Sequence, residues 1–417
     1  MKNIYVDITE LYLWRGKATG IIRVIEEIAI QIAKDNDVDA TFIVWSGHLR
    51  SFCKVDLAEA IASSQTESKR KSSKAANLKK PTVINGVRIP LSRTVKKIII
   101  RPKAETIKLP SRKYKVKIQP NSIMFMPHGG VWSSSKYLKE VLSLNKTKAV
   151  DLVPIIYDFS PVVQPQFCSH GIRKVFKQHM RNLLPKAKLI LSISENTAKD
   201  GKEWLESYGV SNPNIKTIRL GDEISSNISG VKPPKKELPS NFILCVGTIE
   251  ARKNHASLYY AYKLASENNL DLAPIVLVGR KGWLAEDIYE EMTVDPSLKD
   301  KFIFLHNTSD GEMVWLYQNA MFSVYPSFYE GWGLPVAESL ARGVPCIASN
   351  TSSIPEIAGD LIDYFSPYSP EEVMKTINHY CIDKELLKSK RSEVVSKYKT
   401  TTWDSTYREI IQLLAEL

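Results

Sequence analysis

The sequence contains no run of 18 or more apolar residues, so no stretch is long and apolar enough to read as a spanning helix. Its start, Met1-Lys-Asn-Ile-Tyr-Val-Asp7, lacks the apolar core of a secretory signal and reads as a first strand. Cysteine is sparse. Cys53, Cys168, Cys245, Cys346 and Cys381 are scattered, odd in number and without metal-ligand spacing. That disfavours a disulfide framework and suits buried reduced thiols in a cytoplasmic protein. The seven histidines give no zinc spacing, and no Asp-x-Asp is assigned to a catalytic metal. Carboxylates are scarce in one region. Residues 51–120 hold 18 Lys and Arg against 4 Asp and Glu, a local +14 in a chain of net charge +12. Such a block attracts an anionic membrane surface or another polyanion, or it is a solvated insertion, helped by the Ser- and Lys-rich run 63–80. No recognition motif accompanies the charge, so nucleic acid is not an expected partner.

What is present is strand–helix alternation at a length of 417 residues, which suits two or three domains. Buried strands are expected over Asn3–Val6, Ala40–Trp45, Ser122–Met126, Ala149–Ile156 and Lys188–Ser194, with Ile215–Gly221 closing the first half. Within the basic region, Val95–Ile100 reads as a strand or a helix. Ser225–Pro239, with Pro233-Pro234, is the best linker by composition. The pattern then restarts with strands over Phe242–Val246, Pro274–Val278, Phe302–Leu305, Met321–Tyr325 and Val344–Ser349. An amphipathic helix over Trp403–Leu417 ends the chain. Two doubly wound parallel sheets follow from this alternation.

Ligands of such sheets sit at the carboxyl ends of the strands, and the candidate residues lie there. In the first half these are Asp7 and Thr9, Gly20 and Arg23 at the start of a long helix, and His128 beside Gly129 and Gly130, with Trp132 nearby. Gly20 lets a ligand approach the backbone, or it only makes a tight turn. Arg23 pairs with a phosphate, or it is a surface arginine. His128 contacts an acceptor or acts as a base, or it is structural. Asp158 accepts a hydroxyl proton, or it caps the turn that follows. In the second half, Gly247 and Thr248 precede Arg252 and Lys253 at a helix start, where a guanidinium and an ammonium can neutralise phosphate. Gly279 and His306-Asn307 end the next two strands.

The densest stretch is Tyr325-Pro-Ser-Phe-Tyr-Glu330-Gly-Trp-Gly-Leu-Pro335-Val-Ala-Glu338-Ser-Leu-Ala-Arg-Gly343. A buried strand, a glycine-rich turn and a helix starting at Pro335 would aim the amides of Gly333, Leu334 and the first helical turn at an anion. Gly331 and Gly333 would let that anion reach the backbone. Glu330 and Glu338 repel phosphate but accept hydrogen bonds from hydroxyls on either side of it. A nucleotide-sugar, a diphosphate with a sugar at each end, uses all three features. The alternative is a plain strand–turn–helix with two surface glutamates.

Glu330-x7-Glu338 within Tyr-Glu-Gly-Trp-Gly-Leu-Pro resembles the signature of retaining GT-B glycosyltransferases of family GT4. Ser352-Ser-Ile-Pro-Glu356-Ile-Ala-Gly359 and Val246-Gly-Thr-Ile-Glu-Ala-Arg252-Lys-Asn254 are similar to that family too. Thr19-Gly-Ile-Ile-Arg-Val24 resembles the subset that builds bacterial polysaccharide with mannose or rhamnose. Two departures stand out. Tyr157 occupies the place where many members carry His, and Thr248 stands where many carry Arg, leaving Arg252 to supply the guanidinium.

The resemblance implies a GT-B fold of two Rossmann-like domains facing across a cleft. Residues 1–225 would bind the acceptor, with the basic insertion over about 51–120. A linker over 226–240 would lead to the nucleotide-sugar domain, 241–400, and residues 401–417 would cross back to the first domain. It further implies retaining, metal-independent transfer without a cofactor, with a GDP-sugar favoured and UDP- or dTDP-sugars as alternatives. Arg252, Lys253 and the amides near Gly333 would hold the diphosphate. Glu330 would hold donor sugar hydroxyls, Glu338 the ribose, and the loops at Gly279 and His306-Asn307 the base. His128, Tyr157 and Asp158 would face the acceptor. That acceptor is expected to be a lipid-linked or growing surface glycan, O-antigen or capsule, at the cytoplasmic face of an inner membrane. The alternatives of other classes are a GT-B-like sugar-nucleotide epimerase and a non-catalytic sugar-nucleotide or glycan-binding scaffold.

Overall fold

A computed structural model describes residues 2–14, 20–65, 112–130, 134–223 and 230–417. Most of the basic stretch, including Val95–Ile100, lies outside the described residues. So do Trp132, residues 15–19 and part of the expected linker.

Two sheets carry the fold. The first runs in the order β3-β2-β1-β4-β5-β6-β7. Its strands are β1 (Ile4–Asp7), β2 (Ala40–Ser46), β3 (Ser51–Lys54), β4 (Ile123–Met126), β5 (Asp151–Ile156), β6 (Ile190–Ser192) and β7 (Ile215–Thr217). All its pairings are parallel except β2–β3. The second runs in the order β10-β9-β8-β11-β12-β13, wholly parallel. Its strands are β8 (Ile243–Val246), β9 (Ile275–Val278), β10 (Phe302–Leu305), β11 (Ser323–Tyr325), β12 (Cys346–Ser349) and β13 (Asp363–Phe365). Parallel strands need crossovers, and helices cover both faces. This is why the central strands β1, β4 and β9 are buried along their whole length. Strand order reverses between β1 and β4 and between β8 and β11, so each sheet opens a crevice at that switch point.

In the first half the helices are α1 (Thr9–Leu13), α2 (Ile21–Lys34), α3 (Leu57–Gln65), α4 (Ser135–Lys148), α5 (Ser160–Val163), α6 (His170–Leu183) and α7 (Glu195–Glu206). In the second they are α8 (His255–Glu267), α9 (Glu286–Val294), α10 (Asp310–Asn319), α11 (Leu334–Ala341), α12 (Ile354–Ala358), α13 (Pro370–Ile382), α14 (Lys384–Lys397) and α15 (Trp403–Ala415). The expected strands are all present. Two were not foreseen. β13 is a three-residue strand at one edge of the second sheet, and β3 lies inside the stretch expected to be a basic insertion. Residues 51–54 pair in register with β2 and bury Phe52 and Cys53, so this part belongs to the sheet.

The last helix crosses back, as the resemblance implied. α15 packs on α2, Tyr407 Oη donates to Asp35 at 2.6 Å, and Thr406 Oγ1 donates to Arg219 O at 2.7 Å. Trp403 is buried against Gly221, where a Cβ would stand 2.6 Å from the indole.

The two halves also meet along the cleft. Glu356 of α12 accepts hydrogen bonds from Glu195 N and Asn196 N, each at 2.7 Å, while Ser194 Oγ accepts from Thr197 N at 3.0 Å. The first three amides of α7, which have no partner within their own helix, are thereby satisfied. Glu356 stands in the first turn of α12, and its hydrogen bonds go to the start of a helix in the other half of the chain. Tyr329 Oη donates to Asp200 at 2.5 Å, and Thr197 Oγ1 donates to Gly331 O at 3.3 Å.

Candidate functional site

The second switch point gathers the strongest cluster. After β8, Gly247 takes φ +150 and the chain turns through Glu250 to Arg252 and Lys253, just before α8. After β11, the loop 326–333 is tied down from three sides. Phe328 N donates to Arg252 O at 3.0 Å, and Glu330 N donates to Ser352 Oγ at 2.8 Å. Ser353 Oγ lies within hydrogen-bonding distance of Glu330 O and Trp332 O, at 3.0 and 2.7 Å. The Ser352-Ser353 pair at the start of α12 therefore sets where Glu330 sits.

The Glu330 carboxylate lies between both cations. Lys253 Nζ is 2.7 Å from Oε1, and an Arg252 terminal nitrogen is 2.8 Å from Oε2. Burial pushes the Glu330 pKa up, but Arg252 and then Lys253 outweigh it and hold the group down at about 2. Arg252 also donates to Tyr329 O at 2.5 Å and to Glu250 at 2.9 Å. Burial opposes its charge, yet Glu330, Asp158 and Glu250 together keep its pKa above the usual arginine value. Lys253 also donates to Tyr325 Oη, and its ammonium stands 4.9 Å from that ring's centroid. No local pattern singles out Glu250 or Tyr325, because both are ordinary residues until the loops close.

Glu338 sits apart from this cluster. It is buried, it accepts from Tyr317 Oη at 3.0 Å, and it pairs with Arg23, whose guanidinium also reaches Glu223 O at 2.7 Å. Arg23 therefore does not wait for a phosphate. It links the first half of the chain to the carboxylate expected to hold a ribose. Gly20, at the start of α2, is exposed and has φ +52. A Cβ there would meet no atom within 4 Å, so its backbone conformation is what needs glycine.

One of the glycine expectations is corrected. A Cβ at Gly331 would lie 1.7 Å from Tyr157 O, so this glycine makes room for the facing half of the protein rather than for a ligand. At Gly333, with φ +124, a Cβ would stand 2.9 Å from Ile357 Cδ1. The amide count is smaller than expected too. Pro335, the second helical residue, has no N–H, and Val336 N and Ala337 N both go to Gly333 O, at 2.9 and 3.3 Å. Among the described residues, the amides of Gly333 and Leu334 are the ones left for an anion.

The loops after β9 and β10 meet. His306 Nδ1 is 2.6 Å from Gly279 O and Nε2 is 3.3 Å from Tyr289 Oη. Asn307 follows in a left-handed conformation, φ +57, and both residues are exposed. Gly279 is closely packed, since a Cβ there would meet Gly247 O at 1.8 Å. Thr248 is half-buried, and its methyl faces Gly282.

The first switch point is different. His128 and Asp7 have no exposed side-chain surface, and His128 Nε2 lies 3.2 Å from Asp7 Oδ1. Gly130 N donates to His128 Nδ1 at 2.9 Å, which places the ring proton on Nε2, toward Asp7. Asp7 also accepts from Thr9 N at 3.0 Å and from Tyr137 Oη at 2.7 Å. Tyr157 Oη donates to Pro127 O at 2.5 Å, away from the cleft. The contacts expected of the His128 and Tyr157 side chains with an acceptor are therefore closed off by burial and by internal partners. Asp158 is half-buried. One of its oxygens accepts from Ser160 N and Oγ at 2.9 and 2.8 Å, capping α5, while its charge acts on Arg252. Of the acceptor-side candidates, Asp158 is the one brought to the cation cluster. Among the described residues no group of three or more His, Cys, Asp and Glu stands close enough together to hold a metal ion.

Residues 231–398 match the family described as glycosyl transferases group 1. The O-antigen chain mannosyltransferase B of Escherichia coli is 31% identical over 215 residues, 50% of this chain and 55% of that protein. The serotype-specific mannosyltransferase WbdA of Escherichia coli is 26% identical over 260 residues, 58% of this chain and 31% of that protein. The chain thus spans 55% and 31% of the length of these two relatives. Among solved structures, Anabaena Alr3699/HepE in complex with UDP and glucose is similar over 100% of both chains, with a TM-score of 0.59 at 13% identity. That likeness is one of fold, and the fold is GT-B.

Proposed function

We propose, from the match of residues 231–398 to the group 1 glycosyl transferases and from the GT-B fold of the chain, that the protein is a retaining glycosyltransferase of bacterial surface-polysaccharide assembly. Its donor is a nucleotide-diphosphate sugar, with a GDP-mannose-type donor favoured. Its acceptor is a lipid-linked or growing glycan such as an O-antigen. The mannosyltransferase names of the relatives support the sugar, and the Thr-Gly-Ile-Ile-Arg-Val segment points the same way.

The observation that carries this reading is the pairing of Arg252 and Lys253 on buried Glu330 at the β8/β11 switch point. In transfer, the bond from the sugar C1 to the diphosphate oxygen breaks and its electron pair stays on the diphosphate. The acceptor oxygen bonds to C1 on the same face, and its proton passes to Asp158. The developing negative charge is the largest electrostatic demand of the step. Arg252 and Lys253 meet it with the N–H donors that Glu330, Glu250, Tyr329 and Tyr325 leave over, aided by the amides of Gly333 and Leu334. Glu330 keeps both cations on one side and accepts hydroxyls of the donor sugar. Glu338 keeps lone pairs beyond those that Arg23 and Tyr317 use and can accept ribose hydroxyls, so a bound donor would meet the seam between the domains. No metal enters this scheme.

A thermal-shift panel with GDP, UDP, dTDP and ADP, each with and without EDTA, tests it. A nucleotide at about 100 times its dissociation constant adds roughly 2.7 kcal/mol of stability. We expect GDP to give the largest shift, unchanged by EDTA and lost in Lys253→Ala. A shift abolished by EDTA would overturn the metal-free scheme, and no shift from any nucleotide would overturn the donor site.

A further inference from the structure

One surface of the first domain is cationic for a physical reason separate from the 51–120 block. From Phe159 to Ser194 the chain carries Arg173, Lys174, Lys177, Arg181, Lys186 and Lys188 and no Asp or Glu. The centre of this stretch is α6. That helix buries Phe176, His179, Met180 and Leu183 and turns Lys174, Lys177 and Arg181 to solvent. It also leaves Ile172 and Val175, three residues apart, 42% and 38% exposed. Val163 ends α5, which packs on α6, and is 43% exposed. Tyr208 lies beneath Arg181, whose guanidinium carbon is 5.0 Å from the ring centroid. Lys177, Arg181 and Tyr208 line a surface groove of about 440 Å³.

We propose that this α6 face is a docking surface for an anionic phospholipid bilayer. Exposed aliphatic side chains beside cations, with no carboxylate in α5 or α6, suit contact with the headgroup region. The aliphatic groups enter the acyl boundary, the cations meet lipid phosphates, and Tyr208 sits at headgroup depth with Arg181 over its ring. The groove between Lys177 and Arg181 has room for a phosphate headgroup. A nucleic acid is the less suited partner, because Ile172, Val175 and Val163 offer a base nothing to stack on and the Tyr208 ring is already covered by Arg181.

The surface starts at the cleft. α5 follows Asp158 directly, and Phe167, four residues beyond Val163, stacks on Phe328 with centroids 4.9 Å apart. Trp283, 48% exposed, donates its indole N–H to Phe167 O at 3.1 Å, and Leu284 beside it is 56% exposed. Apolar side chains from both domains thus stand at the lip nearest Asp158. A bilayer on this face would present a lipid-carried acceptor to the cleft. This last point rests on the transfer reading above, whereas the docking itself does not.

The experiment is co-sedimentation of the full chain with vesicles of phosphatidylglycerol and phosphatidylcholine, against phosphatidylcholine alone. We expect binding to the anionic vesicles, weakened by salt. Each Lys or Arg at such a surface strengthens binding about fivefold, so the K174E/K177E/R181E variant should lose on the order of 100-fold. I172S/V175S should lose several-fold and keep the salt dependence. Nucleotide-induced thermal shift, which these residues do not touch, reports that the variants are folded. Anionic-vesicle binding by the charge-reversed variant equal to that of the unmodified chain overturns the proposal. So does absence of vesicle binding by the unmodified chain, or equally tight binding of a single-stranded oligonucleotide lost in the same variants. Transfer to a water-soluble acceptor is read separately, so a failure of the transfer reading leaves the vesicle result standing.

Discussion

Both sheets bring titratable side chains to their switch points, and the two clusters behave in opposite ways. At β1/β4, Asp7 is fully buried. Burial alone would raise its pKa, but His128 and the bonds from Thr9 and Tyr137 hold it below the usual carboxylate range. No side-chain surface of Asp7 or His128 is exposed. At β8/β11, Glu330 is held down in the same way, but by two cations that are each 14% exposed and keep donors beyond those it uses. A cluster sealed from solvent can only stabilise. One with spare donors at a crevice can bind and polarise a ligand. The switch point says where polar groups gather, and donors that a ligand can reach say which gathering does chemistry.

This contrast fails most visibly if the sealed cluster proves chemical. Asp7→Ala should lower the unfolding free energy by about 3–5 kcal/mol, the range for a buried pair deprived of one partner. Nucleotide affinity of the folded fraction should be unchanged. Urea titration and a nucleotide-binding isotherm read the two quantities, and wild-type stability with lost transfer would reverse the assignment.

Lys253→Ala should behave in the opposite sense. Loss of one preorganised donor to the departing diphosphate lowers kcat by about 10²–10³-fold, roughly 3–4 kcal/mol in the barrier. Arg252 still pairs with Glu330, so the midpoint of unfolding should move less than in Asp7→Ala. A variant that unfolds but transfers normally per folded molecule would count against the site.

Each domain also buries a histidine whose pKa is lowered, His179 in the first and His255 in the second. Burial, followed by the nearby His128, pushes His179 down to about 4. Burial, followed by Lys253, does the same to His255. Both titrate near 6.5 when unfolded, so below that pH the unfolded chain binds more protons. Stability should therefore fall as pH drops from 6.5 toward 4, by on the order of 1–3 kcal/mol per histidine, and these two groups should add no loss below that. Unfolding free energies at pH 7 and 4.5, compared with those of a His179→Asn/His255→Asn variant, measure it, and an equal change in both proteins would show that neither ring is held neutral.

The smallest effect belongs to the seam. Glu356→Gln leaves an oxygen to accept from α7 but removes the charge that suits a helix N-terminus, and should cost about 0.5–1 kcal/mol. Faster hydrogen exchange at the Asn196 amide would locate the loss, while unchanged exchange there would deny Glu356 its capping role.

Much of this was legible beforehand because it is local. Apolar runs such as Phe242–Val246 and Ser122–Met126 are strands by content, and the helix from Leu334 follows from its formers and from Gly343 just past its end. β3 escaped because its four residues, Ser51-Phe-Cys-Lys54, sit at the head of a basic stretch and gain strand character only by pairing with β2. Residue types at strand ends flagged Arg252, Lys253 and Glu330 one by one. Their mutual pairing was not visible, because Lys253 and Glu330 are 77 positions apart. His128 and Tyr157 carried the same kind of flag, and burial removed their side chains from the cleft.

The order of residues is enough to say that two parallel sheets form, where their carboxyl edges lie, and which side chains are chemically able to act there. Alternation of strand and helix and the residue types of single loops encode all of that within short windows. Which of those side chains meet is settled by the folded arrangement alone. Arg23 finds Glu338 across 315 positions, Glu356 caps a helix of the other domain, and Gly331 yields its space to Tyr157 O. Such contacts depend on how two separately wound domains close on each other. That closure is fixed by packing and charge between residues far apart along the chain, where no local pattern carries a signal.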